Sequence, residues 1–183
     1  MFPKGFPLGF FYWQKGKMKN KTLSIVYTAL IGALYCALTV ALYPISYGPM
    51  QFRVSEALCI LPLFMPQSVI GLTIGCFISN IFSSAGPLDM IFGTMATLLA
   101  AIVSYVAGKK IKNTALKLVV GVLSPTIFNA LLVPIAILGI SQITEAYFAY
   151  ALWVGLGELG VLTILGIPFY FAFRPVYDRL INK

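Results

Sequence analysis

The sequence predicts an all-α membrane protein, a six-transmembrane-helix bundle with both termini cytoplasmic, and three observations carry that reading. Sixty per cent of the 183 residues are hydrophobic and ten per cent charged, against about 25% charged in soluble domains. A soluble core of this length cannot hide so much apolar surface. Apolar stretches recur at about 20 residues, the length that crosses a hydrocarbon layer of about 30 Å. The basic residues cluster in three short flanks: Lys15, Lys17, Lys19 and Lys21; Lys109, Lys110, Lys112 and Lys117; Arg174, Arg179 and Lys183. That is the positive-inside pattern.

Residues 1–17 carry Phe2, Phe6, Phe10, Phe11, Tyr12 and Trp13 among glycines and prolines. They lack the uninterrupted apolar core and small-residue cleavage site of a signal peptide. Met18 opens a more ordinary start, so it is expected to be the initiator, with 1–17 a leader or interfacial tail and 18–183 a single six-helix domain. The first span is expected over Leu23–Tyr43. Two shorter ones, Phe52–Met65 and Ser68–Phe82, are joined at Pro66-Gln67. Asp89–Gly108, Leu118–Leu138 and Tyr147–Phe173 follow. If the basic N-terminal region and the 109–117 loop share one side, an even number of helices separates them, which includes the short second span. Loops 44–52, 83–88 and 139–146 then lie on the outer side.

Several function classes are excluded. The formal charge of +8 lies in tethers rather than on one face, which argues against nucleic acid. There is no histidine, so His-ligated metal sites and Ser-His or Cys-His chemistry are out. Cys36, Cys59 and Cys76 stand isolated in apolar runs, as small core residues. Gly155-Leu156-Gly157-Glu158-Leu159-Gly160 matches G-x-G-x-x-G, but no strand precedes it, and a dinucleotide role needs one. No Walker A motif occurs, so any ATP hydrolysis belongs to another chain. No cofactor and no metal are implied.

The polar residues inside the spans carry the functional signal. Arg53 and Glu56 each cost about 2.5–3.5 kcal/mol near a bilayer centre, and their spacing puts them on one helical face, where they are expected to pair. Pro44, Gly48 and Pro49 break the preceding helix and shape a loop, with Gln51, that is free to act as a lid. Glu158 falls about one turn below the outer surface, with glycines making space beside it and Trp153, Tyr147 and Tyr150 towards the mouth. A carboxylate there accepts two parallel N–H bonds from a guanidinium-like edge, and aromatics stack on a planar ring. Alternatively, Glu158 pairs with Arg53. Asn80 and Asn129 join the set, and Asp89 either binds ligand or caps its helix; Glu145 is a ligand residue or an ordinary loop residue. Ala29, Ala33, Ala37 and Ala41 form a flat ridge suited to a lateral helix partner. Gly71-Gly75-Ser79 and Ala96-Ala100-Ser104-Gly108 form similar rows, expected to pack within the chain.

Four segments together resemble the QueT family: Tyr47-Gly48-Pro49-Met50-Gln51-Phe52-Arg53-Val54-Ser55-Glu56-Ala57, Gly86-Pro87-Leu88-Asp89-Met90-Ile91-Phe92-Gly93, Phe128-Asn129-Ala130 and Val154-Gly155-Leu156-Gly157-Glu158. The likeness runs from about Met18 to Arg174. It implies a substrate-binding (S) component of an energy-coupling factor (ECF) transporter in the bacterial cell membrane. Such a component captures a 7-deazaguanine (preQ1, preQ0 or queuine) outside the cell, and associates with a transmembrane coupling protein and two cytoplasmic ATPases. The resemblance also implies that Ala29, Ala33 and Ala37 contact the coupling protein. Glu158, Asn129, Asp89, Glu56, Arg53, Gln51, Trp153 and Tyr147 form the expected substrate site. Glu158 reads the Watson–Crick edge, Asn129 adds a hydrogen bond, and Asp89 or Glu56 balances an aminomethyl group. The rivals are the same scaffold with another vitamin-like ligand, a membrane-embedded enzyme using Asp89 and Glu158, and an ion channel, against which the lack of charge on the inner half counts.

Overall fold

The computed structural model describes residues 21–48, 51–139 and 145–181, and every regular element among them is helical. The expectations for residues 1–17 and for Met18 fall outside the described residues. Helix α1 (Lys21–Ala41) leads through the one-turn α2 (Tyr43–Ser46) to an extended stretch and a 3₁₀ helix, Val54–Leu63. Then come α3 (Gln67–Asn80), α4 (Pro87–Lys110) and α5 (Thr114–Leu138). The chain ends in α6 (Glu145–Val161), a π-helical turn (Leu162–Gly166) and α7 (Ile167–Ile181), with helical backbone on both sides of the π turn. Local chemistry marks the joints. Pro87 occupies the first turn of α4, where its missing N–H is no loss. Asn113 caps α5, accepting from the amides of Ala115 at 2.9 Å and Leu116 at 3.3 Å.

Four helical stretches are long and apolar enough to cross a membrane: Lys21–Ala41, Pro87–Lys110, Thr114–Leu138 and Ala146–Arg179. The 14 residues of α3 and the 10 of the 3₁₀ helix fall short of the about 20 that an α-helical span needs. Val54–Leu63 therefore differs from the α-helix expected over Phe52–Met65. At about 2.0 Å per residue it reaches roughly 20 Å, further than an α-helix of equal length. Pro62 lies inside it and offers no amide to an α-helical ladder. All residues from Ser55 to Leu63 are buried. The 3₁₀ helix touches α1, α3, α4, α5, α6, the π turn and α7. It is the axis of the bundle rather than one of its walls.

The surface is inverted relative to a soluble protein. Ile25, Val26, Leu30, Ile74, Leu131, Leu152 and Ile164 are exposed, while Glu56, Asp89, Asn80 and Glu158 are buried. Along the bundle the interior changes character. Leu63, Met65, Ala107, Leu118, Tyr170 and Tyr177 form an apolar core near the helix ends that carry Lys109, Lys110 and Arg174. Polar side chains fill the opposite half.

The small-residue rows divide by position. Gly71 and Gly75 of α3 cross α1 backbone to backbone: a Cβ on Gly75 would lie 2.6 Å from the Gly32 carbonyl oxygen, and one on Gly71 2.6 Å from that of Thr28. Ala96, Ala100 and Ser104 are buried, and a Cβ on Gly108 would collide with the Leu63 carbonyl at 1.9 Å. Ala29, Ala33 and Ala37 lie on the exposed side of α1. Replacing Gly75 with valine is expected to destabilise the bundle by about 1–3 kcal/mol or more through overpacking, read as a lowered thermal midpoint of the detergent-purified protein, whereas Ala33→Gly is expected to move that midpoint far less.

Candidate functional site

The polar half is built around Arg53. This residue precedes the 3₁₀ helix in an extended conformation (φ −91°, ψ 104°), so it does not share a helical face with Glu56. Its Nη2 donates to Asp89 Oδ2 at 2.8 Å, with the two residues 4% and 0% exposed. The expected Arg53–Glu56 pair is thus replaced by a pair between the first inter-helix loop and α4. The reason is backbone geometry: the i,i+3 rule holds only when both residues are helical. Arg53 Nε also donates to the Ser46 carbonyl at 3.4 Å, and the guanidinium lies 5.4 Å from the centre of the Tyr47 ring. Burial pushes the Tyr47 phenol up to about 12, so it stays protonated and donates to the Ser79 carbonyl.

Asp89 is the third residue of α4, where the helix dipole favours an anion. Its carboxylate does not cap the helix; Gly86 stands at the cap position, with φ +65°. Besides Arg53, the Ser83 hydroxyl donates to Oδ2 at 2.6 Å, and Asn80 Nδ2 donates to the Asp89 carbonyl at 2.9 Å. Both branches of this network are local consequences of the tight connection between α3 and α4.

Glu56, in the first turn of the 3₁₀ helix, turns the other way. It accepts from the Tyr35 hydroxyl of α1 and, at 2.8 Å, from Cys59 Sγ. Thr39 and Ser55 hydrogen-bond at 2.7 Å one turn further along the same contact. On the far side, Asn129 Nδ2 of α5 donates to Glu158 Oε1 of α6 at 3.1 Å.

Gln51, Arg53, Glu56, Asn129 and Glu158, with Val133 and Val154, line one cavity of about 190 Å³, counting the part open to the exterior. Gln51 holds φ +43°, the left-handed region that a non-glycine residue seldom adopts, and its amide bonds to the Gly48 carbonyl at 2.9 Å. Such a strained position beside a cavity is a frequent mark of a binding loop.

Five of the eight expected site residues therefore meet at one cavity. Asp89 stands behind it, holding Arg53. Trp153 is 49% exposed; five residues from Glu158, it sits about 140° around the helix and faces outward. Val154, four residues away, shares the face of Glu158. Tyr147 lies three turns from Glu158, and its hydroxyl donates to the Leu131 carbonyl at 2.8 Å. Of Glu145, only its place at the start of α6 is among the described features. Tyr35, Cys59, Val133 and Val154 escaped the sequence reading. Glu158 minus four was the one available signal, and it marks Val154 alone.

Charged and amide side chains from three helical segments, buried against one cavity in an all-helical chain with several span-length helices, define a multi-pass membrane protein with a polar cavity between its helices. Residues 25–175, from α1 to α7, match the QueT transporter family, and the chain belongs to that family. It is a family of transporters, not enzymes, and of the cell membrane. Over 83 residues the chain is 48% identical to the queuosine precursor transporter QueT of Lactococcus lactis subsp. cremoris (strain MG1363). That match covers 44% of this chain and 48% of the relative, so the chain spans about half the length of the curated relative it matches. No solved structure matches.

Removing Asp89 leaves a buried guanidinium without its counter-ion. Asp89→Ala is expected to lower unfolding stability by about 3–5 kcal/mol. Arg53→Met on top of it should restore part of that loss, a coupling measurable as a double-mutant cycle by thermal or denaturant unfolding in detergent.

Proposed function

We propose that this chain is the substrate-binding subunit of an ECF-type uptake transporter, capturing a 7-deazaguanine queuosine precursor such as preQ1, preQ0 or queuine from outside the cell. The observation that carries the reading is the cavity flanked by Glu158, Asn129 and Glu56. A carboxylate oriented by an amide offers both an acceptor pair and an adjacent polar group. That combination suits the donor-rich edge of a guanine-type ring. Val133 and Val154 supply apolar walls for its faces. Membership of the QueT family and the name of the Lactococcus relative support the choice of ligand class.

The position of the cavity favours capture from outside. Asn129 is 12 residues beyond Lys117, and Glu158 is 16 residues before Arg174, so they lie about 18 Å and about 24 Å along their helices from a basic flank. With those flanks cytoplasmic, the cavity opens towards the other face. Counting the 3₁₀ helix and α3 with the four long helices gives six, consistent with a six-helix domain over 18–183 and both termini inside. Gln51 and Arg53 then form the hinge of a lid over the ligand. The exposed alanine ridge of α1 is the proposed contact for the transmembrane coupling protein, which two cytoplasmic ATPases would drive.

In binding measured by titration calorimetry on purified protein, Glu158→Gln is expected to weaken 7-deazaguanine binding at least tenfold, since hydrogen bonds to a charged group contribute about 1.5–3 kcal/mol. Affinity equal to wild type would remove Glu158 from the site. Ala33→Leu should leave that affinity intact and abolish uptake into cells that carry the coupling complex; normal uptake would refute the docking role.

A further inference from the structure

The polar half holds more acids than bases. Arg53, Asp89, Glu56 and Glu158 are all at most 4% exposed: one cation and three carboxyls. Arg53 is the sole basic residue between Lys21 and Lys109, and no basic residue lies between Lys117 and Arg174. The charge of Arg53 is committed to Asp89 at 2.8 Å, so Asp89 has none left for a ligand and does not line the cavity.

That leaves two carboxyls, Glu56 and Glu158, on the wall of one cavity. Their close protein donors are uncharged: Tyr35 and Cys59 for Glu56, Asn129 for Glu158. Neutral donors orient a carboxyl without cancelling its charge. Two carboxylates facing one buried cavity repel strongly unless they share a proton or something positive comes between them.

We infer that Glu56 is the charge-reading residue of this site: it takes a protonated amine on the ligand, while Glu158 takes the neutral N–H edge. The inference rests on the deazapurine reading above and adds to it which substituent is selected and by which residue. In this arrangement a planar ring lies between the two carboxyls, with one at each end of the ligand. Each requires its own donor. Asn129 gives Glu158 a neighbouring amide, with donor and acceptor atoms to match a ring edge. Glu56 is surrounded by donors alone and offers the ligand only its negative charge.

The test compares three 7-deazaguanines on purified wild-type protein, carrying 7-aminomethyl, 7-hydroxymethyl and 7-cyano groups. The first two match in size and differ in charge. The amine is expected to bind at least about tenfold tighter than the alcohol, in line with the strength of hydrogen bonds between charged groups. In Glu56→Gln that ratio should fall to about one. Tyr35→Phe, which keeps the carboxylate and removes one neutral donor, should retain it. Equal affinity of the amine and alcohol for wild-type protein overturns the proposal, as does a ratio that survives Glu56→Gln or collapses equally in Tyr35→Phe. Binding of none of the three by wild-type protein instead defeats the deazapurine reading itself.

Discussion

Burying an arginine inside a membrane protein sets the terms for everything around it. Arg53 is 4% exposed, and a guanidinium away from water is tolerable only with a counter-charge and its remaining protons satisfied. Asp89 supplies the counter-charge, Ser46 a carbonyl and Tyr47 a ring face. Those contacts tie Ser46, Tyr47 and Arg53 to the start of α4, and Ser83 and Asn80 extend the tie to the end of α3. The segment that leads into the 3₁₀ helix is thereby fixed at one end by an ion pair while Gln51 sits strained beside the cavity.

The 3₁₀ helix converts that anchor into a site. A tight helix of ten residues, buried on all sides, brings Glu56 to the middle of the bundle with little bulk of its own. The last helix answers it with a π turn at Leu162–Gly166, which packs on the 3₁₀ helix just beyond Glu158. Gly166 stands close to the Ala57 carbonyl there; a Cβ would lie 3.5 Å from it. One helix is wound tighter than an α-helix and its neighbour looser, and both departures border the two carboxyls. Turns of this kind inside long helices often mark functional positions.

The lengthwise division of the interior suits a protein that binds at one end and docks at the other. The apolar half is built around Leu63, Met65, Tyr170 and Tyr177 at the basic helix ends, with the Tyr177 hydroxyl donating to Gln67 at 3.2 Å. The polar half carries unpaired buried atoms among its described residues, including Asp89 Oδ1 and Asn80 Oδ1. Helix α1 serves both, with Tyr35 and Thr39 turned inward to the 3₁₀ helix and the alanine ridge turned outward.

Composition and periodicity were enough to establish a multi-pass helical membrane protein, because apolar runs and flanking charges are properties of short stretches of chain. The long helices were legible for the same reason, and Glu158, Asn129, Glu56, Arg53 and Gln51, which line one cavity, stood out because polar groups in or beside such runs need an explanation whatever the fold. Pairing was not legible. Arg53 meets Asp89, 36 residues away, rather than Glu56 three residues away, because its backbone is extended where a helix was expected. Asp89 moved from ligand candidate to counter-ion because of where α4 meets Arg53, whereas the outward position of Trp153 follows from its five-residue spacing to Glu158 on one helix. Which partner a buried charge finds is decided by where the helices cross, and that belongs to the tertiary structure alone.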